Sequence, residues 1–372
     1  MHTCGKIAVI GAGPAGLLTS FFIRRHDVII FEEHTSPGKP EHCTGIIGSY
    51  TASFLTRLLG NKIIDNKYHG IIFHTPHKKI EILLDKPIAY HVRRPFLEEK
   101  LAEKIQGIGH ELILGIKVKP CQELGSLRAG QRSFQFQKII ASDGPYSFLR
   151  RLCFGPIRNK IYGVQAVIKT NINDPKIFHI IYTNTMPDFF GWFVPLNEEK
   201  ALIGYGVKKH VYHPWRVIKY LTKKTGINRY IVKRFFGGTI PLDPPLKKPV
   251  CRRKIFFIGD SIPLTKPYTG GGLYGITLLA RPLARLLEEE ITLNKYLEIY
   301  SGYYKKFIIQ HRLVRVVKKL GYWMPVLFLE DLYKLKMFEE YQFDEHERIA
   351  YKSIILLPYT LPKLIFSSLR TR

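Results

Sequence analysis

The sequence predicts an α/β fold, and three observations carry the prediction. A short apolar strand, Lys6-Ile7-Ala8-Val9-Ile10, runs straight into Gly11-Ala12-Gly13-Pro14-Ala15-Gly16 and then into a helical stretch from Leu17 to Arg25. Two much later strands end in Asp143-Gly144 and in Gly259-Asp260. Between them, Tyr162–Thr170, Ile177–Tyr182 and Ala201–Val207 read as strands of an antiparallel sheet.

The opening is the most specific element. The apolar run suits a parallel strand buried on both faces. Gly11 permits the tight turn, Gly13 lets backbone approach a pyrophosphate, and Gly16 lets helix and strand pack closely; Ala15 keeps the same turn small. The helix N-terminus presents free N–H groups and the positive end of its dipole to phosphate. A second strand, Val28-Ile29-Ile30-Phe31, closes on Glu32, where a carboxylate accepts a hydrogen bond from a ribose hydroxyl and repels a 2′-phosphate. Strand, glycines, helix, strand and acid in this order predict a Rossmann-type dinucleotide site.

Three further segments share that site. In Tyr90-His91-Val92-Arg93-Arg94-Pro95-Phe96-Leu97-Glu98 an extended stretch enters a helix, with Pro95 suited to its first turn. Lys138-Ile139-Ile140-Ala141-Ser142-Asp143-Gly144 is a strand and sharp turn, followed by Ser147 and Arg150. Ile255-Phe256-Phe257-Ile258-Gly259-Asp260 is another strand, and Pro267-Tyr268-Thr269-Gly270-Gly271-Gly272 then precedes a helix from Tyr274 to about Glu290. These segments resemble the "R-x-x-Φ-D/E-x-x-L", "A-D-G-x-x-S-x-x-R" and Gly-Asp elements of FAD-dependent hydroxylases and reductases, Φ being apolar. The resemblance implies FAD, contacted by Arg94, covered by Asp143 and Gly144, and held at its ribityl chain by Asp260. Ser142 interrupts the usual Ala-Asp pair. Gly270, Gly271 and Gly272 would face the flavin where negative charge builds on reduction.

Residues 187–195 read Pro187-Asp188-Phe189-Phe190-Gly191-Trp192-Phe193-Val194-Pro195. This is similar to the P-x-x-Y-x-W-x-F-P signature of the geranylgeranyl reductase family, with Phe190 in place of Tyr and Val194 in place of Phe. The resemblance implies an aromatic wall for a polyprenyl chain, with Phe190 and Trp192 at the substrate. Glu41-His42-Cys43-Thr44-Gly45 and Thr265-Lys266-Pro267 are also similar to family segments, and the former makes Cys43 the candidate active-site thiol. The archaeal digeranylgeranylglycerophospholipid reductases are the subgroup implied. Two other functions fit the same residues: an FAD monooxygenase acting on an aromatic or lipid substrate, and a non-catalytic flavin-binding, membrane-associated protein.

The expected organisation is a discontinuous FAD-binding domain over 1–155 and 245–290, an inserted antiparallel substrate lobe over 156–244, and a helical C-terminal region over 291–372. The 57 Lys and Arg against 30 Asp and Glu give a formal charge of +27, which attracts phosphorylated ligands or acidic membrane surfaces. The basic residues form no tract and no nucleic-acid motif, so nucleic acid is not an expected partner. Five cysteines at 4, 43, 121, 153 and 251 lack CxxC spacing, which argues against zinc and against a disulfide framework. No apolar run reaches the roughly 20 residues needed to cross a bilayer. Tyr303–Lys319 alternates basic clusters with apolar residues, Tyr322–Leu329 is strongly apolar, and a last stretch holds Leu364-Ile365-Phe366 and ends in Arg370 and Arg372. They suit peripheral contact at the cytoplasmic face of an anionic membrane. The electron donor, whether ferredoxin, quinol or NAD(P)H, leaves no second fingerprint in the sequence.

Overall fold

The computed structural model describes residues 2–121, 125–209, 213–339, 343–356 and 358. Leu364-Ile365-Phe366, Arg370 and Arg372 lie outside them. The strand His2–Ile10 is the centre of the first sheet, pairing in parallel with Val28–Phe31 on one side and with Arg132–Ala141 on the other. Ile255–Phe257 extends the sheet beyond Arg132–Ala141, and Glu111–Ile113 extends it beyond Val28–Phe31, both in parallel. These strands are almost wholly apolar because helices cover the sheet: Pro14–Phe21 packs against Arg94–Gly107 and against Leu273–Leu287. Leu17, Ile30, Ile139, Ile140 and Leu283 are fully buried in the resulting core.

The fingerprint helix stops at Phe21, short of Arg25. The Arg24 and Arg25 N–H groups donate to the Glu288 carboxylate at 2.8 and 2.7 Å, so a side chain from the far end of the chain takes the bonds that would continue the helix. The helix after the glycine loop runs Leu273–Leu287 and ends where Glu288 makes this contact.

The second sheet has seven strands, in the order Ile231–Pro241, Lys160–Lys169, Lys200–Val207, Gly191–Pro195, Ile177–Ile181, Gly70–His74, Lys79–Leu83. All pairings are antiparallel except that of Ile177–Ile181 with Gly70–His74. Residues 70–83 thus enter this sheet from outside the 156–244 segment. Ile71 to Phe73 are all buried, Ile80 and Ile82 alternate with exposed residues, and Gly70–His74 pairs along its free edge with Ile177–Ile181. A small third sheet, Ile46–Ile47, Ala89–Val92 and Ile64–Tyr68, joins the two larger ones.

Alternation sorts the central lobe strand into two faces. Phe193 points to the outer side, into a cluster with Ile203, Tyr205 and, from the helix Pro214–Thr225, Ile218 and Leu221. Trp192 and Val194 point inward, where Tyr322, Met324, Val326 and Leu327 of the C-terminal region complete the core. The apolar stretch Tyr322–Leu329 is thereby largely accounted for by burial against the protein itself. Among the described residues no helix is long and apolar enough to cross a membrane.

Candidate active site

The first wall of the site is the turn after the opening strand. Gly11 has φ +97°, and a Cβ there would stand 2.7 Å from the Ser142 carbonyl oxygen. At Gly16 a Cβ would stand 2.2 Å from the Gly11 oxygen and 2.6 Å from Ser142 Oγ. Ser142, the residue that departs from the Ala-Asp pattern, locks this crossing by donating to the Ile10 and Gly11 carbonyls at 2.8 and 3.0 Å. Gly13, by contrast, has nothing within 4 Å of its would-be Cβ: it borders open cavity, the place for a ligand phosphate. Glu32 accepts from the Ala12 N–H at 2.8 Å and pairs with His34 Nδ1 at 2.7 Å, which aims its carboxylate at the rim of the turn.

The dinucleotide loops converge on one cavity of about 1080 Å³. Asp143 accepts from the Phe148 N–H at 3.2 Å through one oxygen, while Oδ1 is buried with no protein partner. Burial pushes its carboxyl up to about 6. Asp260, at the end of the Ile255–Phe257 strand, also borders the cavity and is pushed up to about 6 by burial, against the pull of Arg94. Arg94 forks onto Glu98 Oε1 through Nε at 2.9 Å and a terminal nitrogen at 2.5 Å. Glu98, Cys43 and Asp260 all lie in its field, and the attraction of Glu98 and Cys43 outweighs burial to raise the Arg94 pKa. Two carboxyls at the cavity edge, one with an oxygen that has no protein partner, an open phosphate-sized turn and the three-glycine loop at Gly270–Gly272 fit a bound FAD.

Cys43 is free, open to the cavity, and within hydrogen-bonding reach of Arg94. Its sulfur accepts from the Gly45 N–H at 3.4 Å. His42 beside it is held below the usual histidine range by burial and by the Arg94 charge.

Beyond this point the cavity turns apolar. Phe189, Phe190, Trp192 and Val194 line it, and Phe189 and Phe190 stack with centroids 4.2 Å apart. Two glycines on the neighbouring strand seat these rings: a Cβ at Gly204 would meet the Trp192 ring at 2.7 Å, and one at Gly206 the Phe189 ring at 2.4 Å. The opposite wall is C-terminal: Leu313, Val314, Met324, Phe328, Phe338 and Ile349.

Several of these contacts have no signal in the sequence. Gln165 Oε1 accepts from both Trp192 Nε1 at 3.2 Å and Thr44 Oγ1 at 3.1 Å, tying the aromatic wall to the Cys43 loop. The Tyr182 and Tyr268 hydroxyls meet at 2.9 Å, and Tyr268 in turn donates to the Tyr322 carbonyl at 2.8 Å. Where Phe190 lacks a hydroxyl, Tyr182, its ring 5.9 Å away, supplies one to the same wall. Among the described residues no cluster of His, Cys, Asp and Glu could hold a metal ion.

No family model matches the chain. It is 22 % identical to an uncharacterized protein of Methanocaldococcus jannaschii over 81 % of this chain and 79 % of the other. It is 22 % identical to the digeranylgeranylglycerophospholipid reductase of Methanococcus aeolicus over 85 % of this chain and 87 % of that one. A geranylgeranyl bacteriochlorophyll reductase-like protein of Thermoplasma acidophilum superposes with a TM-score of 0.70 at 18 % identity, covering 92 % of this chain and 90 % of that one. A myxobacterial FAD-dependent halogenase shares the fold with a TM-score of 0.65 at 15 % identity, covering 84 % and 82 %. The same fold thus serves other flavin chemistry: the chain is similar in sequence to a digeranylgeranylglycerophospholipid reductase, and shares its fold with a geranylgeranyl bacteriochlorophyll reductase-like protein and with an FAD-dependent halogenase.

Proposed function

We propose that the chain is an FAD-dependent reductase that saturates carbon–carbon double bonds in the geranylgeranyl chains of isoprenoid membrane lipids of the archaeal type. The observation that carries this reading is continuity: the dinucleotide loops and the aromatic tunnel are two ends of one cavity. A site for a small polar substrate has no use for a wall of Phe190, Trp192, Val194, Phe328 and Phe338, whereas a polyprenyl chain buries its whole length against one.

Gly11, Gly13, Ala15 and Gly16 would hold the pyrophosphate, Glu32 the ribose, and Asp143, Gly144 and Asp260 the remaining hydroxyls and phosphate edges. Arg94 and the Gly270–Gly272 loop would lie at the flavin. FAD, when bound, supplies the hydride that an unactivated alkene cannot obtain from any side chain. The residues of the chain do the rest. Trp192, fixed by Gln165, and Phe190, fixed by the Phe189 stack, hold the alkene in one plane. The apolar walls exclude water, which would otherwise compete for the reacting centre. Cys43, open to the cavity and beside Arg94, is placed to hold or relay a proton at Sγ.

The lipid substrate and the basic surface together suit peripheral contact with an anionic membrane. The test is anaerobic. The flavoprotein is reduced with dithionite, mixed with a digeranylgeranyl phospholipid, and the lipid is weighed by mass spectrometry. A gain of two hydrogens per double bond, with flavin reoxidised in step, supports the reading. Unchanged lipid together with NAD(P)H-dependent oxygen uptake and a hydroxylated product would replace it by the monooxygenase reading, and flavin binding with neither turnover would leave a non-catalytic flavoprotein.

A further inference from the structure

Saturating a double bond takes one hydride and one proton, and the cavity that would hold the alkene is walled by apolar side chains. One part of its wall is built differently. Lys266, 3 % exposed, borders the cavity behind the glycine loop. Its ammonium donates to the Phe343 carbonyl at 2.7 Å and stands 3.7 Å from Asp344 Oδ1. An ammonium carries three N–H donors, one more than these two oxygens can take. Asp344, 1 % exposed, and His346 also border the cavity.

Behind this group lies Glu347, 4 % exposed, whose Oε2 accepts from Gln310 Nε2 at 2.8 Å. Gln310 faces the cavity, and its Oε1 is buried without a protein partner. Glu347 also lines a second, separate hollow on the surface, with Lys306, Arg348 and Lys352. Lys306, 41 % exposed, reaches Glu347 Oε1 at 3.4 Å and Glu345 Oε1 at 3.9 Å. Tyr274, from the helix after the glycine loop, donates to the same Glu345 oxygen at 3.5 Å. Glu347 and Asp344 act on Lys266 through their charges, and Lys266 acts on His346. One carboxylate therefore separates outside from inside, with titratable groups on both sides of it.

We propose that Glu347 and Lys266 form the proton entry of the cavity, passing protons from the surface hollow to the alkene carbon that does not receive the hydride. This rests on the reductase reading. Beside the hydride, each double bond takes up one proton: Lys266 gives it to the substrate side, Glu347 restores it to Lys266, and the solvent in the hollow reprotonates Glu347. A cluster kept only for stability gains little from so many buried charges, because a buried ion pair often does no better than apolar packing.

The experiment uses the flavin-loaded full chain, with Glu347→Gln and Gln310→Leu. Flavin absorbance and melting temperature report folding. Proton uptake after photoreduction of the flavin is followed with an indicator dye, without lipid. Lipid saturation is then timed with and without added imidazole or formate, small acids that can enter the surface hollow. Glu347→Gln is expected to slow both uptake and saturation, on the order of 100-fold for the latter, and the added acids to restore much of the rate. Gln310→Leu, which keeps the carboxyl but removes its link to the cavity, is expected to slow uptake as well. Wild-type rates in the variants, or a loss that small acids leave unchanged, would overturn the proposal. A wild-type protein that takes up protons on flavin reduction but saturates no lipid would instead sink the reductase reading.

Discussion

Asp260→Asn is expected to stabilise the cofactor-free protein while weakening its hold on flavin. The carboxyl of Asp260 is raised from 3.8 to about 6 by enclosure at the cavity edge. Between those values the unfolded chain has given up its proton and the folded chain still holds it, so stability falls as pH rises from 3.8 to about 6. Above 6 the cost is complete. A shift of about 2.2 units corresponds to about 3 kcal/mol at neutral pH. With an unfolding entropy of about 2.1 cal/mol/K per residue over 372 residues, that is an upward shift in melting temperature of about 4 °C for the amide variant. Roughly half of the gain remains at pH 5, and none below 3.8. The measurement is a set of thermal melts of the apo-protein from pH 3.5 to 8, beside flavin titrations of both proteins. An amide variant that melts no higher than wild type at pH 7, or whose advantage persists unchanged at pH 3.5, would refute the assignment of Asp260 as a carboxylate held at a cost for a ligand.

Other expectations follow from single contacts. Gly16→Ala drives a Cβ to 2.2 Å from the Gly11 oxygen, so the turn must open; flavin retention on gel filtration is expected to be lost. Gln165→Leu strands the buried Trp192 N–H and the Thr44 hydroxyl, and denaturant unfolding is expected to register a loss of about 1–3 kcal/mol, with a changed tryptophan emission. His74 and His179, 3.0 Å apart, are depressed by burial to about 4 and about 3, so both stay neutral in the fold. Their contribution is whole above 6.5 and is lost as pH falls toward 4. His179→Phe is expected to flatten the acid limb of the stability profile, read by melts between pH 7 and 4.

The cofactor half of the fold was legible because its elements are local: a strand, a turn in which Gly11 and Gly16 have no room for a Cβ, and a helix, each a few residues from the next. What the sequence withheld is long-range. The strands Gly70–His74 and Lys79–Leu83 pair with each other across a short turn, and nothing local says that Ile177–Ile181, a hundred residues on, offers the matching edge. Gln165 is one polar residue in an apolar strand, and its two partners lie 27 and 121 positions away.

The C-terminal region shows the same limit most sharply, because its role depends on one side chain. The helix Ser49–Leu59 begins at Gly48 and has no side-chain cap of its own. Asp344, 293 positions after Thr51, supplies one: its carboxylate accepts from the Thr51 N–H at 3.1 Å and the Thr51 hydroxyl at 3.2 Å, and a Cβ at Gly48 would stand 2.5 Å from it. The same carboxylate faces Lys266 of the glycine loop. One residue thus fastens the C-terminal wall of the cavity to both the Ser49–Leu59 helix and the segment that carries the three-glycine loop. Asp344→Ala would uncap the helix and leave the Lys266 ammonium buried beside a single carbonyl, a loss of about 3–5 kcal/mol. The double variant with Lys266→Met should recover most of it, since the stranded charge is gone and only the cap, about 1 kcal/mol, stays missing. Denaturant midpoints of the four proteins of the cycle measure this. Additive losses would mean that Asp344 and Lys266 act independently, and the C-terminal helices would then owe their place to apolar packing alone.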